Sequence, residues 1–172
     1  LGIVLGAADI ITVIYANFLR RGRDRFVMPA GHGSALLYSV LKLAGYNVGD
    51  LNSFRMLGGL PGHPEYGIDG VDATTGPLGC GVGNAVGMAL AEKINRADST
   101  IYCLCSDGDL MEGVANEAIA FAGQYRLNNL VLLWDDNGVS IDGAALVDCD
   151  VPLRMMAAGW KVLSVDGNDF VQ

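Results

Sequence analysis

Charged side chains are scarce in this chain of 172 residues: Asp, Glu, Lys and Arg together make up 17% of it, whereas apolar residues make up 51%. Disordered chains show the opposite balance, so a disordered or purely solvating role is excluded. Basic residues are the scarcer charged group, with 11 Lys and Arg against 19 Asp and Glu, which gives a net charge of −8. Nonspecific attraction to nucleic acid or to an anionic membrane is therefore not expected. A phosphate-bearing ligand would need a local device that offsets this charge.

Cysteine is also rare, with four copies at Cys80, Cys103, Cys105 and Cys149. No two of them form a Cys-x-x-Cys pair, and neither histidine stands at a spacing typical of a zinc site. We therefore expect reduced thiols and a cytoplasmic location. Cys103 and Cys105 lie two apart on a predicted strand and point the same way, which predicts two buried, small apolar side chains.

A long apolar run over residues 1–19 raises the question of a membrane span. Asp9, Thr12 and Asn17 interrupt this run, and it lacks the basic start and the small-residue cleavage site of a signal peptide. The run therefore predicts a buried or interface helix rather than a membrane segment. Because the chain opens on Leu1 and not on Met, we also expect that preceding residues have been lost.

Helical and strand-like segments alternate along the chain. The predicted helices cover 7–19, 34–44, 83–96, 112–126 and 152–158, and the predicted strands cover 26–28, 100–105, 130–134 and 160–165. The strands are continuous apolar runs, which indicates a parallel sheet that is buried on both faces. We expect an α/β fold, a doubly wound parallel sheet with helices on both faces. No linker or repeat interrupts the pattern, so a single domain over 1–172 is predicted.

Polar residues follow two of the predicted strands. Asp107 comes after the strand that ends at 105, and Asn137 comes after the strand that ends at 134. One βαβ step separates these strands, so their carboxyl ends meet at one edge of the sheet. A carboxylate, an amide oxygen and a backbone carbonyl just after Gly138 are hard donors that suit Mg²⁺ and leave positions for a diphosphate. Asp-Gly and Asn-Gly are also ordinary turn formers, so the residues alone leave both interpretations open.

A glycine-rich segment, 74–84, runs into a helix that begins with small residues. Glycines let a ligand approach the backbone closely, and a helix start offers free N–H groups. The spacing does not follow a dinucleotide-binding fingerprint, so a tight packing turn is an equal alternative. His32 lies between glycines at a helix entry, where it can donate to an anionic ligand, and His63 lies between two prolines, which hold it rigidly. Each is equally well interpreted as a turn residue satisfied by backbone.

Two acidic residues, Glu112 and Glu117, fall on the predicted helix that follows Asp107. They are five residues apart and so do not lie on the same face of that helix, but both side chains can reach an interface with another subunit. Two carboxyls held together in a buried interface share a proton, which would let them relay protonation between subunits. A solvated helix face is the alternative interpretation for both.

Six blocks of the sequence, taken together, are more specific than any one motif. The blocks are Gly31-His32-Gly33-Ser34, Pro61-Gly62-His63-Pro64-Glu65, Thr75-Gly76-Pro77-Leu78-Gly79, Asn84-Ala85-Val86-Gly87-Met88-Ala89, Asp107-Gly108 with Met111-Glu112-Gly113, and Asp135-Asp136-Asn137-Gly138-Val139-Ser140-Ile141-Asp142-Gly143. They occur in the order seen in transketolases, and the match covers nearly the whole chain. The chain thus resembles the amino-terminal, diphosphate-binding domain of that family. Deoxyxylulose-phosphate synthase and the first component of pyruvate dehydrogenase share the metal motif, but not the second and third blocks as they stand here.

The resemblance implies thiamine diphosphate as the cofactor, held through Mg²⁺ or Ca²⁺. Asp107 and Asn137 would be the side-chain ligands of the metal and so bind the cofactor, and the backbone carbonyl of Val139 would be a third ligand. His32 and Gly108 would contact the diphosphate. A divalent ion and backbone dipoles are the local device that a negatively charged protein needs to hold this ligand.

The resemblance also places residues around the rings of the cofactor and at a subunit interface. Gly76 and Leu78 would touch the aminopyrimidine ring, and His63 would face the sugar substrate near the thiazolium. Glu112 and Glu117 would join a carboxylate network that links the two active sites of a dimer.

The implied activity is that of a transketolase of the pentose phosphate pathway. A two-carbon glycolaldehyde unit would pass from a ketose phosphate to an aldose phosphate, with xylulose 5-phosphate, ribose 5-phosphate and erythrose 4-phosphate as substrates. The family's pyrimidine-activating glutamate lies in a second domain, and we expect this chain to lack the pyrimidine-binding and C-terminal domains. It would then be inactive alone and would work as a homodimer or with a complementary subunit that carries the pyrimidine-binding domain.

The sequence departs from the family pattern at a few positions. Ser106 stands where Gly is usual, which puts the turn before Asp107 in doubt, and Cys80 stands where Gln is common. The connections at 20–24, 47–52 and 95–99 look shorter than usual. Two alternatives therefore stay open: a related thiamine diphosphate enzyme such as dihydroxyacetone synthase, and a noncatalytic paralogue that keeps the fold.

Overall fold

The computed structural model describes residues 2–140, 143–144 and 150–169. Cys149 and the Ile141-Asp142 part of the last sequence block lie outside the described residues. The helices are α1 (Gly2–Gly6), α2 (Ala8–Val13), α3 (Ser34–Leu43), α4 (Cys80–Ile94), α5 (Asp107–Met111), α6 (Gly113–Gln124) and α7 (Val151–Ala157). The strands are β1 (Arg25–Val27), β2 (Ile101–Ser106), β3 (Leu130–Asp135), β4 (Val139–Ser140) and β5 (Gly143–Ala144). A π-helical turn covers Ile14–Phe18, and 3₁₀ turns cover Gly31–Gly33 and Leu51–Ser53.

Strands β1, β2 and β3 form a parallel sheet with β2 in the centre. Arg25 pairs with Ile101, and Ile101 pairs with Leu130, so the three strands start level with one another and their carboxyl ends lie at one edge. The chain passes through α3 and α4 between β1 and β2, and through α5 and α6 between β2 and β3. In parallel α/β sheets, ligands bind beyond the carboxyl ends of the strands.

Alternate residues of the sheet face two separate apolar cores. Phe26, Tyr102 and Leu104 pack with the apolar side chains of α1, α2 and α3 on one face. Val27 packs on the opposite face with Cys103, Cys105 and the apolar residues of α4, α6 and α7. Helices thus cover both faces of a parallel sheet, which confirms the predicted fold class. The two thiols are fully buried on the same face, as expected, and burial raises the pKa of both.

The apolar start of the chain packs onto the sheet, and Ile3, Ile11 and Ile14 are buried there. The single helix predicted for 7–19 is instead α2 followed by the π-helical turn, and α1 lies directly before it. Hydrogen bonds of 3.0 Å from Ala7 N–H to the Ile3 carbonyl and from Ile11 N–H to the Ala7 carbonyl keep α1 and α2 nearly continuous. Across the described ranges, no helix is both long and apolar enough to cross a bilayer.

The prediction of a strand at 160–165 is wrong. A strand requires a neighbour that satisfies its backbone, and the described residues place none beside this segment. Trp160 packs instead against α6, where its indole N–H donates a 3.0 Å hydrogen bond to the Ile119 carbonyl. Leu163 and Val165 are mostly exposed. Sequence periodicity detected the apolar residues of this segment but not the absence of a partner strand.

Several element boundaries also differ from those predicted. Helix α4 begins at Cys80, three residues before its predicted start at 83 and directly after the glycine loop. Helix α6 begins at Gly113, so Glu112 is its N-cap residue and lies just before the helix rather than on it. Helix α5 and the short antiparallel pair β4–β5 occupy segments that were expected to be turns.

Candidate cofactor and metal site

Asp107 and Asn137 meet at the carboxyl edge of the sheet, as the strand spacing predicts. Strands β2 and β3 end side by side, with Ser106 paired to Asp135. The next residue after β2 is Asp107, and its Oδ2 accepts hydrogen bonds from the backbone N–H groups of Asn137 at 3.2 Å and Gly138 at 2.8 Å. The β3 turn therefore closes directly over the Asp107 carboxylate, which is only 6% exposed.

The oxygen atoms at this edge suit a hard divalent cation. Asn137 Oδ1 accepts the Val139 N–H at 3.0 Å, so the amide oxygen is held in a fixed orientation and retains a second lone pair. Within the described residues, no group of three or more His, Cys, Asp or Glu side chains could hold a metal. A cation at this edge would therefore depend on amide and carbonyl oxygens beside Asp107, a donor set that fits Mg²⁺ or Ca²⁺ and not a softer metal.

Negative charge is concentrated at the same edge. Burial raises the pKa of the Asp135 carboxyl, and the charges of Asp107 and Asp136 raise it further. The 2.9 Å hydrogen bond from Asn137 Nδ2 opposes this rise. A bound cation would relieve this repulsion among the carboxylates.

Ser106 does not disturb the turn that leads into Asp107. Its backbone is ordinary extended structure, with φ −105° and ψ 172°, so no glycine is required at this position. The backbone N–H and the hydroxyl of Ser106 both donate to Asp109 Oδ2, at 2.9 Å and 2.8 Å. The departure from the family pattern is therefore compatible with helix α5 beginning at Asp107.

The glycine loop 76–79 lies against the start of α5. Gly79 donates a 2.8 Å hydrogen bond from its backbone N–H to Asp109 Oδ1. Its φ is +75°, and a Cβ at this position would lie 2.7 Å from the Cβ of Glu112, so no other residue fits. A Cβ on Gly108 would lie 3.4 Å from Leu78 Cδ1, which places Leu78 over the first turn of α5. The glycine loop and the segment that begins at Asp107 are thus neighbours.

Two hydroxyl groups of α3 hold the backbone at His63 through hydrogen bonds to consecutive carbonyl groups. The Tyr38 hydroxyl on α3 donates to the His63 carbonyl at 2.8 Å, and the Ser34 hydroxyl donates to the Gly62 carbonyl at 2.7 Å. Burial raises the pKa of Tyr38 to about 12, so this phenol stays protonated and can donate. The imidazole itself is exposed and lies beside two glycines: a Cβ on Gly31 would be 2.9 Å from His63 Cδ2 and 3.1 Å from Gly76 Cα.

His32 lies in the 3₁₀ turn Gly31–Gly33, immediately before α3, and its side chain is exposed. Partial burial lowers its pKa; the charge of Asp109 opposes this change, and His63 adds to it. These influences show that His32, His63 and Asp109 surround the same region. The imidazole is therefore mostly neutral near pH 7, and it can donate one N–H to an anion.

Glu112 and Glu117 are both exposed. The backbone carbonyl of Glu112 accepts the side chain of Asn116 at 2.8 Å, which anchors the start of α6. Val114 and Phe121, which flank Glu117 along α6, are 43% and 40% exposed. An exposed apolar stripe with a carboxylate between its members is typical of a surface that contacts another chain.

Sequence reasoning missed three residues that hold this arrangement together: Asp109, Tyr38 and Trp134. The Ser-x-x-Asp spacing of Ser106 and Asp109 is a capping-box pattern and could have revealed the first. No pattern points to Tyr38 or to Trp134, because each acts through one hydrogen bond to a residue distant in sequence.

Comparison with known proteins identifies the family of the chain. The profile of the family described as "Transketolase, thiamine diphosphate binding domain" matches residues 1–172. The transketolases of Rhodobacter capsulatus and Geobacillus stearothermophilus are both 46% identical to the chain over 98% of its length. The chain spans 28% and 29% of the length of these two relatives. The alignment with the first extends over 190 residues, so that relative carries additional residues within the matched region.

Solved structures show the same relationship. The transketolase of Leishmania mexicana superimposes with a TM-score of 0.88 at 35% identity, over 98% of this chain and 32% of that one. The transketolase of Campylobacter jejuni gives a TM-score of 0.88 at 39% identity, over 98% of this chain and 33% of that one. The chain therefore belongs to the family of transketolase thiamine diphosphate-binding domains.

Proposed function

We propose that this chain supplies the diphosphate- and metal-binding half of a transketolase active site. The observation that carries the proposal is the closure of the β3 turn over Asp107, with Asn137 beside it at the carboxyl edge of the sheet. The glycine loop 76–79 is hydrogen-bonded to Asp109 in the first turn of α5, the helix that begins at Asp107. Two features that the sequence alone left ambiguous are therefore neighbours, which supports a common site.

In this proposal Asp107, Asn137 and the carbonyl of Val139 would hold a divalent cation, Mg²⁺ or Ca²⁺, and His32 and Gly108 would contact the diphosphate of thiamine diphosphate. The orientation of the turn favours this assignment, since Asp107 and Asn137 are each fixed by backbone N–H groups. The cation also offsets the carboxylates that a diphosphate would otherwise face.

Gly76 and Leu78 contact the aminopyrimidine ring in this proposal, and His63 faces the sugar. Thiamine diphosphate, when bound, supplies the carbanion chemistry that breaks the bond next to a ketose carbonyl. The chain contributes orientation and exclusion of water, and the exposed imidazole of His63 offers ring nitrogens that can form hydrogen bonds with the sugar.

The reaction that follows is the transfer of a two-carbon glycolaldehyde unit from a ketose phosphate, such as xylulose 5-phosphate, to ribose 5-phosphate or erythrose 4-phosphate. Residues 1–172 act as one domain, and the groups that bind the pyrimidine side come from another domain or subunit. Either a homodimer or a complementary subunit would supply them, with Glu112 and Glu117 near the contact. The enzyme would work in the cytoplasm.

Cofactor binding by the enzyme that carries this chain tests the metal assignment. Replacement of Asp107 by Ala should abolish the Mg²⁺ dependence of thiamine diphosphate affinity, measured by calorimetry with and without the metal. Asp136→Asn is the matched control, because it removes an exposed charge from the same turn and leaves the Asp107 contacts in place. Equal losses in the two variants, or no loss in Asp107→Ala, would contradict the assignment.

The reaction itself is tested by following transfer from xylulose 5-phosphate to ribose 5-phosphate with and without added thiamine diphosphate. Cofactor-dependent transfer is the expected result. Preferential transfer to formaldehyde would indicate a dihydroxyacetone synthase instead. Full cofactor binding without any turnover, with pyrimidine-binding domains present, would indicate a noncatalytic paralogue.

A further inference from the structure

The carboxylate of Asp107 accepts three hydrogen bonds, and one of them comes from an indole. Trp134 Nε1 donates to Oδ1 at 2.9 Å, whereas the backbone N–H groups of Asn137 and Gly138 both donate to Oδ2. A carboxylate offers about four lone-pair positions, two on each oxygen. Oδ2 is thus fully used, and the one position that remains lies on Oδ1, the oxygen that the indole contacts.

Trp134 differs from the other two donors in where it is anchored. It belongs to β3 and pairs in register with Cys105 of the central strand, and its ring packs against the apolar core on the α4 and α6 face. The other donors belong to the turn that follows β3 and move with it. The indole N–H is therefore the donor that the sheet itself supplies to this carboxylate.

We propose that Trp134 is a positioning residue for the divalent cation, an inference that rests on the metal site of the proposed function. Its N–H fixes the rotation of the Asp107 carboxylate, so that the remaining lone pair of Oδ1 faces outward at the edge of the sheet. It also provides a hydrogen-bond partner for a carboxylate oxygen that is nearly buried. The indole is a donor only, so it cannot compete with Asp107 as a metal ligand.

Replacement of Trp134 by Phe removes the N–H and keeps an aromatic ring in the core. Loss of such a partner of a metal ligand typically weakens metal binding by about 10- to 100-fold. In the holoenzyme, W134F should raise the Mg²⁺ concentration for half-maximal thiamine diphosphate binding by about tenfold or more. Turnover at saturating Mg²⁺ should stay close to the wild-type value, because the ligands themselves are intact.

Trp160 provides a matched control, since the sequence has two tryptophans and both donate one indole hydrogen bond. W160F loses the bond to the Ile119 carbonyl and leaves Asp107 untouched, so Mg²⁺ affinity should not change. Within residues 1–172, W160F also leaves Trp134 as the single indole. The emission of Trp134, taken as the part of the W160F signal that the W134F/W160F double variant lacks, should shift when Mg²⁺ is added with thiamine diphosphate, and this readout does not require turnover.

The outcomes separate the inference from the function on which it rests. Wild-type Mg²⁺ affinity in W134F, or unchanged Trp134 emission in a W160F protein that binds the metal, would overturn the role of Trp134 while Asp107→Ala still abolished binding. The inference also predicts that W134F adds no further loss to Asp107→Asn, because the indole acts only through that carboxylate. Additive losses in the double variant would overturn it. If Asp107→Ala keeps Mg²⁺-dependent binding, the proposed function itself fails.

Discussion

The backbone N–H of Gly79 donates a 2.8 Å hydrogen bond to Oδ1 of Asp109, a side chain with no exposed surface. The other oxygen of the same carboxylate accepts the backbone N–H and the hydroxyl of Ser106. One buried carboxylate thus joins the glycine loop to the end of β2, where Asp107 follows. This carboxylate therefore helps to fix the glycine loop relative to Asp107.

Replacement of Asp109 by Asn should loosen the glycine loop. An amide keeps one acceptor oxygen but directs an N–H₂ group at donors that the carboxylate satisfied, and each buried donor left without a partner costs about 1–3 kcal/mol. We expect a loss of about 2 kcal/mol in the free energy of unfolding. We also expect weaker thiamine diphosphate binding at saturating Mg²⁺. Denaturant titration and calorimetry measure the two effects.

Ser106→Ala is the control for this variant. It removes one of the three donors and leaves the Gly79 bond intact, so stability should fall by about 1 kcal/mol with little change in cofactor affinity. If Asp109→Asn changed stability but left cofactor affinity at the wild-type value, the link between Asp109 and the loop would be wrong.

The meeting of Asp107 and Asn137 could be predicted because it follows from topology alone. Two parallel strands joined by one helical crossover must end at the same edge, and a buried apolar run identifies each strand. The two-faced core could be predicted for the same reason, since continuous apolar strands need cover on both sides. The cysteines of β2 were correctly placed by the period of two in a strand.

Other features depend on contacts that a single sequence does not display. Helix α5 covers five residues, which is too short for an apolar period, and its Asp-Gly-Asp start is typical of a turn. The apolar residues at 160–165 predicted a strand, but strand formation depends on a neighbour elsewhere in the fold. The hydrogen bond from Trp134 to Asp107 joins β3 to the first residue of α5 and has no local signature.

A second prediction concerns the close approach of Gly31 to the site. A Cβ at this position would lie 2.9 Å from His63 Cδ2 and 3.1 Å from the backbone of Gly76, and backbone cannot move aside cheaply. Overpacking of this kind costs about 1–3 kcal/mol. Gly31→Ala should therefore displace His63 and Gly76 and weaken thiamine diphosphate binding by about tenfold, measured by calorimetry.

Gly83→Ala is the counterpart within α4, where a Cβ would meet nothing within 4 Å. Alanine is favoured over glycine inside a helix, so this variant should gain up to about 1 kcal/mol in stability and keep its cofactor affinity. Equal affinities in Gly31→Ala and Gly83→Ala would show that Gly31 does not touch the binding region.

A third prediction concerns the reactivity of the thiols. Burial raises the pKa of Cys103 and Cys105, and neither side chain has exposed surface, so no reactive thiolate forms there. Cys80, the first residue of α4, is exposed. Brief treatment of the native protein with a maleimide should label Cys80 and spare the two strand cysteines until denaturant is added, and peptide mass spectrometry distinguishes the sites. Early labelling of Cys103 would contradict the packing of β2.

The last prediction concerns the pH dependence of stability through Asp24, a buried carboxylate in the connection before β1. It accepts the Thr100 N–H at 2.8 Å and both a backbone and a side-chain donor of Arg20, so it ties this connection to the start of β2. Burial raises its pKa, but the hydrogen bonds from Arg20 and Thr100 outweigh that effect and hold the pKa below its ordinary value.

A folded-state pKa below the unfolded value of about 3.9 means that the unfolded chain binds the proton more tightly. The stabilisation by Asp24 is therefore complete above about pH 4 and is lost as the pH falls through the folded-state pKa. Asp24→Asn should lower the free energy of unfolding by about 1–3 kcal/mol at pH 7, because donors lose their partner. This deficit should shrink as the pH falls below about 4.

Asp72 should change stability with pH in the opposite direction to Asp24, so Asp72→Asn serves as the control. Burial raises its pKa, and the Phe26 N–H and Arg25 only partly offset the rise. The folded chain then binds the proton more tightly than the unfolded chain does. The contribution of Asp72 to the free energy of unfolding therefore falls as the pH rises from about 4 through the folded-state pKa. The deficit of Asp72→Asn should accordingly shrink as the pH rises, whereas that of Asp24→Asn grows. Urea titrations of both variants between pH 3 and pH 7 measure these slopes, and slopes of equal sign would contradict the opposite environments of the two carboxyls.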